Sequence, residues 1–175
     1  MQILVRGTKS KRLKADIQDA VKFYGKRLMS KKVRDKLKIF IDVDTKQNHR
    51  KDCYGMCDPL GRNSQSGLKE FQIYCVHRPR TISKEKNNVF RTIAHEMVHL
   101  KQFTTGEMGV YLVATRSDSG KRLTNTRWKG ILYKTREDDS NDNEYYDAPW
   151  EIEAYGRELG LYRRWRKSRG EDWET

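Results

Sequence analysis

Long apolar runs are missing from this 175-residue chain, whose mean hydropathy is −0.98. No stretch approaches the roughly 20 residues that a membrane-crossing helix requires, so no membrane association is expected. The opening Met1-Gln2-Ile3-Leu4-Val5-Arg6 runs into Gly7, Lys9 and Lys11 too soon for the apolar region of a signal peptide. A cytoplasmic location is the expectation. Cysteine is scarce: Cys53, Cys57 and Cys75 are an odd number, which argues against a disulfide framework and fits a reducing compartment. Histidine is scarce too, with His49, His77, His95, His99 and none further on. Internal repeats and low-complexity segments are also lacking. At 20.8 kDa the chain can enclose one core but is short for two.

Charge is present in excess. Charged residues make up 35% of the chain and the net charge is +13, so a basic surface that attracts nucleic acid or acidic proteins is one expectation. The sign reverses over residues 137–158, where nine carboxylates face Arg157 alone. Like charges so concentrated repel unless they are solvated or bind a cation.

Periodicity places the elements. Leu13, Ile17, Val21, Tyr24 and Leu28 form one stripe of a helix over 11–28, with Lys and Arg on the opposite face. Leu37, Ile39, Ile41 and Val43 alternate with polar neighbours, as in a strand with one buried face. Residues 58–67 are dense in turn formers and separate a short strand near Cys53 and Cys57 from one at Phe71, Ile73 and Cys75, a hairpin or two adjacent strands. A helix is predicted from about Ser83 as N-cap, buried through Val89, Phe90, Ile93, Met97 and Leu100 and closed by Thr104-Thr105-Gly106. Beyond it, 111–114 reads as strand or helix, 115–127 as a polar excursion and 128–133 as a short strand. Pro149 suits the first turn of a final helix reaching about Arg166. The sum is an α+β domain.

The chemistry sits in the predicted middle helix, at His95-Glu96-Met97-Val98-His99. Histidines four apart project from one face of a helix and can reach one zinc ion at about 2.0–2.1 Å. Glu96, one position round, points beside the metal and can take a proton from an activated water and pass it to a leaving amine. A catalytic zinc wants a third protein ligand. With no histidine after His99, a downstream ligand must be a carboxylate. Glu151 and Glu153 in Pro149-Trp150-Glu151-Ile152-Glu153-Ala154-Tyr155 are the candidates, and only one of them should face the metal. Small Ala154 would let the two helices approach closely.

His95 to Gln102, Trp128-Lys129-Gly130 and 149–155 together resemble small phage-encoded metallopeptidases, similar to SprT-like and minimal gluzincin (ImmA-type) peptidases. The resemblance covers roughly residues 54–162. It implies a single zincin-like domain with an N-terminal helix, a small mainly antiparallel sheet, the active-site helix and a C-terminal helix that carries the third ligand. A basic N-terminal helical segment (1–36) would precede a catalytic core (37–170). In the ImmA-type group the metal glutamate lies three residues before an alanine, which implies Glu151. SprT-like proteins usually complete the site with a downstream histidine, which this chain lacks.

The expected function is therefore zinc-dependent hydrolysis of peptide bonds, with His95, His99 and Glu151 on the metal and Glu96 as general base, acting on a protein or peptide in the cytoplasm (the host's, for a phage protein). Tyr145, Tyr146 and Tyr155 are candidate oxyanion donors by chain proximity. Two alternatives stand beside it: a basic nucleic-acid-binding protein with structural zinc, and a protease acting on DNA-bound proteins. Cys53, Cys57, Cys75 and His77 offer four ligand types for a second zinc, or a set of reduced, partly buried side chains. Lys31-Lys32 and Arg163-Arg164-Trp165-Arg166-Lys167 offer a phosphate grip with an indole to stack on a base, or solvated helix faces. His49 reads as a surface loop residue, and the acidic loop 137–147 as a lid or a calcium ligand set without regular spacing.

Overall fold

In the computed structural model, which describes residues 1–44, 55–61, 69–77, 88–116, 122–134 and 145–171, the stripe over 11–28 forms helix α1 (Lys11–Leu28). The Ser10 side chain accepts from the Leu13 N–H at its start, and Ile17, Ala20, Val21 and Tyr24 are fully buried. Before it runs β1 (Gln2–Arg6), and after it come the single-turn α2 (Lys31–Arg34) and β2 (Leu37–Asp44). With β3 (Gly55–Leu60) and β4 (Lys69–Val76) these strands make one sheet in the order β1-β2-β4-β3.

This sheet is not mainly antiparallel: β1 pairs β2 and β2 pairs β4 in parallel, and only β3 runs the other way. The reason is connectivity. A helix between two neighbouring strands carries the chain back to the starting edge, and α1 does this between β1 and β2. Five-residue β1 shows too little alternation to be read as a strand. The expected hairpin is real, with Met56 opposite Tyr74 and Cys57 opposite Ile73. β3 continues through Asp58-Pro59-Leu60, residues the sequence reads as turn; as the edge strand it tolerates Pro59.

One face of the sheet is core. Ile39 lies opposite Phe71, Ile41 opposite Ile73 and Val43 opposite Cys75, all buried. Each fully buried aliphatic there contributes about 1.5–3 kcal/mol. The other face is polar, carrying Arg6–Asp42 (2.7 Å), Lys38–Glu70 (3.4 Å) and a Tyr74 hydroxyl donated to Asp44 (2.7 Å). The helices therefore pack on the apolar side alone. Central among them is α3 (Val89–Thr105), which touches α1, the sheet and α4 (Pro149–Ser168). Asn88 caps α3 through the Phe90 N–H, and Gly106, at φ +76°, ends it. The cap is thus Asn88, five residues beyond the expected Ser83, which lies outside the described residues.

A second, antiparallel sheet holds β5 (Met108–Arg116), β6 (Arg122–Trp128) and β7 (Ile131–Lys134). Two expectations fail here. Residues 122–127 are strand rather than polar excursion, and 128–133 is not one strand but the end of β6, a two-residue turn and the start of β7. Lys129 (φ +46°) and Gly130 (φ +88°) both take the left-handed conformation that a two-residue hairpin demands. Polar β-formers such as Thr124 and Thr126 hide such a strand from a hydrophobicity reading. Pro149 opens α4 as expected. Cys53, His49 and residues 137–144 of the acidic loop lie outside the described residues.

Candidate metal centre

Helices α3 and α4 meet along small and charged residues. Glu151, Ala154, Glu158, Leu161 and Trp165 recur every three or four residues on the buried face of α4. Ala154 is fully buried, and beside it α3 presents His95 and His99 from adjacent turns. The result is a buried group of His95, His99 and Glu151 that could hold a metal ion, the one such group among the described residues. His95 Nε2 lies 3.0 Å from His99 Nε2 and 3.2 Å from Glu151 Oε2, and His99 Nε2 lies 3.4 Å from Glu151 Oε1.

The surrounding hydrogen bonds assign the tautomers. His95 Nδ1 lies 2.9 Å from Glu158 Oε2, and Glu158 is held in turn by Arg91, whose Nε is 2.6 Å from Oε1. A carboxylate can only accept, so the ring proton of His95 sits on Nδ1. His99 Nδ1 lies 2.9 Å from Gln102 Oε1. The Gln102 amide cannot be turned the other way, because its Nε2 donates to the Trp150 carbonyl (3.0 Å) and to Glu153 (3.1 Å). Both imidazoles thus spend Nδ1–H on the protein and aim Nε2 lone pairs at each other and at a carboxylate. Glu151 Oε2 is left buried without a hydrogen bond. Its 3.2 Å neighbour, His95 Nε2, has no proton to give while the ring is neutral. Three acceptors face one another, which is costly unless a cation lies between them.

The titration behaviour of the metal-free chain says the same. Burial lowers the His95 pKa, but Glu151 and Glu158 outweigh it and lift it to about 9. His99 is raised too, burial opposing and Glu151 prevailing. Burial would raise Glu151, yet the two histidines hold it at about 2. Two imidazolium rings 3.0 Å apart repel, so one cation shared by all three ligands is the better answer.

Comparison with family models, curated proteins and solved structures found no match. The site's chemistry is therefore read from its own residues.

Glu96 sits one position round α3, buried, with its carboxylate against Gly55 of β3. Burial raises its carboxyl and the two histidines pull it back, leaving it at about 7. Glu153 stands outside that group. It receives Lys101 (3.0 Å), Arg157 (2.9 Å) and Gln102, and so holds the amide that orients His99. Of the three tyrosines, Tyr145 lies near Glu151, and burial and that carboxylate push its pKa above the usual phenol range. Tyr155 packs its ring edge-on against His95 with centroids 4.6 Å apart, and Tyr146 stacks on Tyr155 at 5.5 Å.

Elsewhere, Cys57 and Cys75 are buried free thiols in the core cluster, and His77 is half-buried, its pKa lowered by burial. Trp165 cannot stack on a base: it is buried against Phe90 (4.6 Å), and its indole N–H is donated to Asp19 (2.8 Å). The exposed charges around it, Arg163, Arg164 and Lys167, belong to the solvent side of α4. Glu158, Arg91 and Gln102 were not foreseen as site residues. One signal was available: Glu158 follows Glu151 by seven residues, on the same helix face.

Proposed function

We propose that the chain is a zinc-dependent peptidase that hydrolyses peptide bonds of protein or peptide substrates, with zinc on His95, His99 and Glu151 and Glu96 as general base. The observation that carries this reading is the convergence of two imidazoles and one carboxylate, whose ligand atoms lie within 4.8 Å of one another, with the buried carboxylate of Glu96 alongside. The two Nε2 atoms are 3.0 Å apart, and each lies 3.2 or 3.4 Å from a different oxygen of Glu151, close to the edge of about 3.3 Å of a tetrahedron with zinc–ligand distances near 2.0–2.1 Å. Two imidazoles and one carboxylate suit zinc, whereas magnesium and calcium take oxygen donors.

When bound, zinc supplies Lewis acidity towards a carbonyl oxygen and eases deprotonation of water. Glu96, with a pKa of about 7, is balanced to take a proton from water and return it to the leaving amine. Tyr145, near the Glu151 carboxylate, is the candidate donor to a developing oxyanion. β3 is an edge strand packed against α3, so an extended peptide added to it would run beside the site.

A purely structural zinc in a nucleic-acid-binding protein would need a fourth protein ligand, commonly cysteine. Among the described residues the group holds two imidazoles and one carboxylate and no cysteine, a donor set that suits the enzyme reading. The test is cleavage of fluorescein-labelled casein by the zinc-loaded protein. Activity is expected in the wild type and should fall about 100- to 10,000-fold in Glu96→Gln. Inert zinc-loaded wild type, or full activity in Glu96→Gln, would overturn the proposal. Salt-sensitive stimulation by duplex DNA would extend it to DNA-bound substrates.

A further inference from the structure

Gly55 opens β3 for no conformational reason, since its φ is not among the positive values that call for glycine. Space is the reason. A Cβ at this position would lie 2.4 Å from Glu96 Oε1, 3.1 Å from Glu96 Cδ and 2.5 Å from Thr92 Cγ2. Thr92 and Glu96 are four apart on α3, so they stand one above the other on the face that meets β3. The bare backbone of the edge strand thus closes directly on the carboxylate.

We propose that Gly55 is the positioning residue of Glu96: by carrying no side chain, it lets β3 wall in the carboxylate beside the two histidines. This rests on the peptidase reading. The two close contacts would respond differently to an added methyl. Glu96 ends in a flexible carboxylate that swings away, so the base leaves its place. Thr92 is β-branched and stiff, so its methyl pushes on the strand and strains the fold. Thr92→Ser removes that methyl and leaves the carboxylate conflict untouched.

The experiment compares Gly55→Ala, Thr92→Ser, the Gly55→Ala/Thr92→Ser double variant, Glu96→Ala and Gly55→Ala/Glu96→Ala. Zinc content, Tm, and kcat and KM on fluorescein-labelled casein are measured for each. Zinc content should hold throughout, because no ligand is touched. Thr92→Ser should restore most of the Tm lost in Gly55→Ala. The double variant's kcat should stay at least about tenfold low, with KM within about threefold of wild type. Gly55→Ala should cost less Tm in the Glu96→Ala background than in the wild type. A kcat in the double variant within about twofold of wild type overturns the proposal, as does a Tm cost that ignores the Glu96 side chain. Failure of zinc-loaded wild type to cleave casein overturns the peptidase reading instead, and the Tm comparison separates that case from loss of the Gly55–Glu96 contact.

Discussion

Glu151 and Glu153, two positions apart on α4, point about 200° apart around the helix, one to the ligand group and the other to Gln102 and Lys101. Glu151→Gln should abolish tight zinc binding. Glu153→Gln should keep the metal at reduced affinity, and Gln102→Leu should weaken it about 10- to 100-fold by freeing the His99 ring. Competition with a chromogenic chelator ranks the three; Glu153→Gln as the worst would assign the ligands the other way. The metal-free chain should also respond to pH. Glu96 and His95 have folded pKa values raised to about 7 and about 9, so their contribution is present below their unfolded values and lost as pH rises through those figures. Glu151, held at about 2, contributes above its unfolded value and loses this as pH falls towards 2. The Tm of chelated protein should therefore decline between about pH 5 and pH 9. A flat or rising profile would contradict the raised values. His95, Glu96 and His99 were legible because the spacing of a helix converts sequence directly into a shared face. Gln102, Glu158 and Arg91 were not, because an ordinary polar residue becomes part of a site only when another helix packs on it.

Among the elements, α3 matters most, being buried on nearly every side and capped at both ends. Asn88 does double duty there, capping α3 through the Phe90 N–H and donating to the Tyr162 hydroxyl of α4 (2.7 Å). Asn88→Ala should cost about 1–2 kcal/mol in urea unfolding of metal-free protein. A cost near zero would mean that the cap is replaced by solvent. The elements with strong periods, α1, β2 and β4, were readable because each buries a single face. β1 and β6 were not, since five residues or a mostly polar run give no clear alternation to count. The parallel pairing escaped for a related reason: it is set by α1 between β1 and β2 and by β3 taking the edge beyond β4, facts of connection rather than of local composition.

For the whole molecule, a metal at this site would tie α3 to α4, each supplying ligands and the partners that orient them. Zinc at about 1,000 times its Kd should add about 4 kcal/mol, or roughly 8–16 °C in Tm for a domain of this size. Chelator should remove that gain from the wild type and leave the Tm of Glu151→Gln nearly unchanged. No helix among the described residues is long and apolar enough to cross a membrane. The most direct test of the central claim is elemental analysis by mass spectrometry of protein purified without chelator. Wild type and Glu96→Gln should each carry about one zinc per chain, while His95→Ala and Glu151→Gln carry almost none. A wild type that holds no zinc and takes none up on addition would contradict the account.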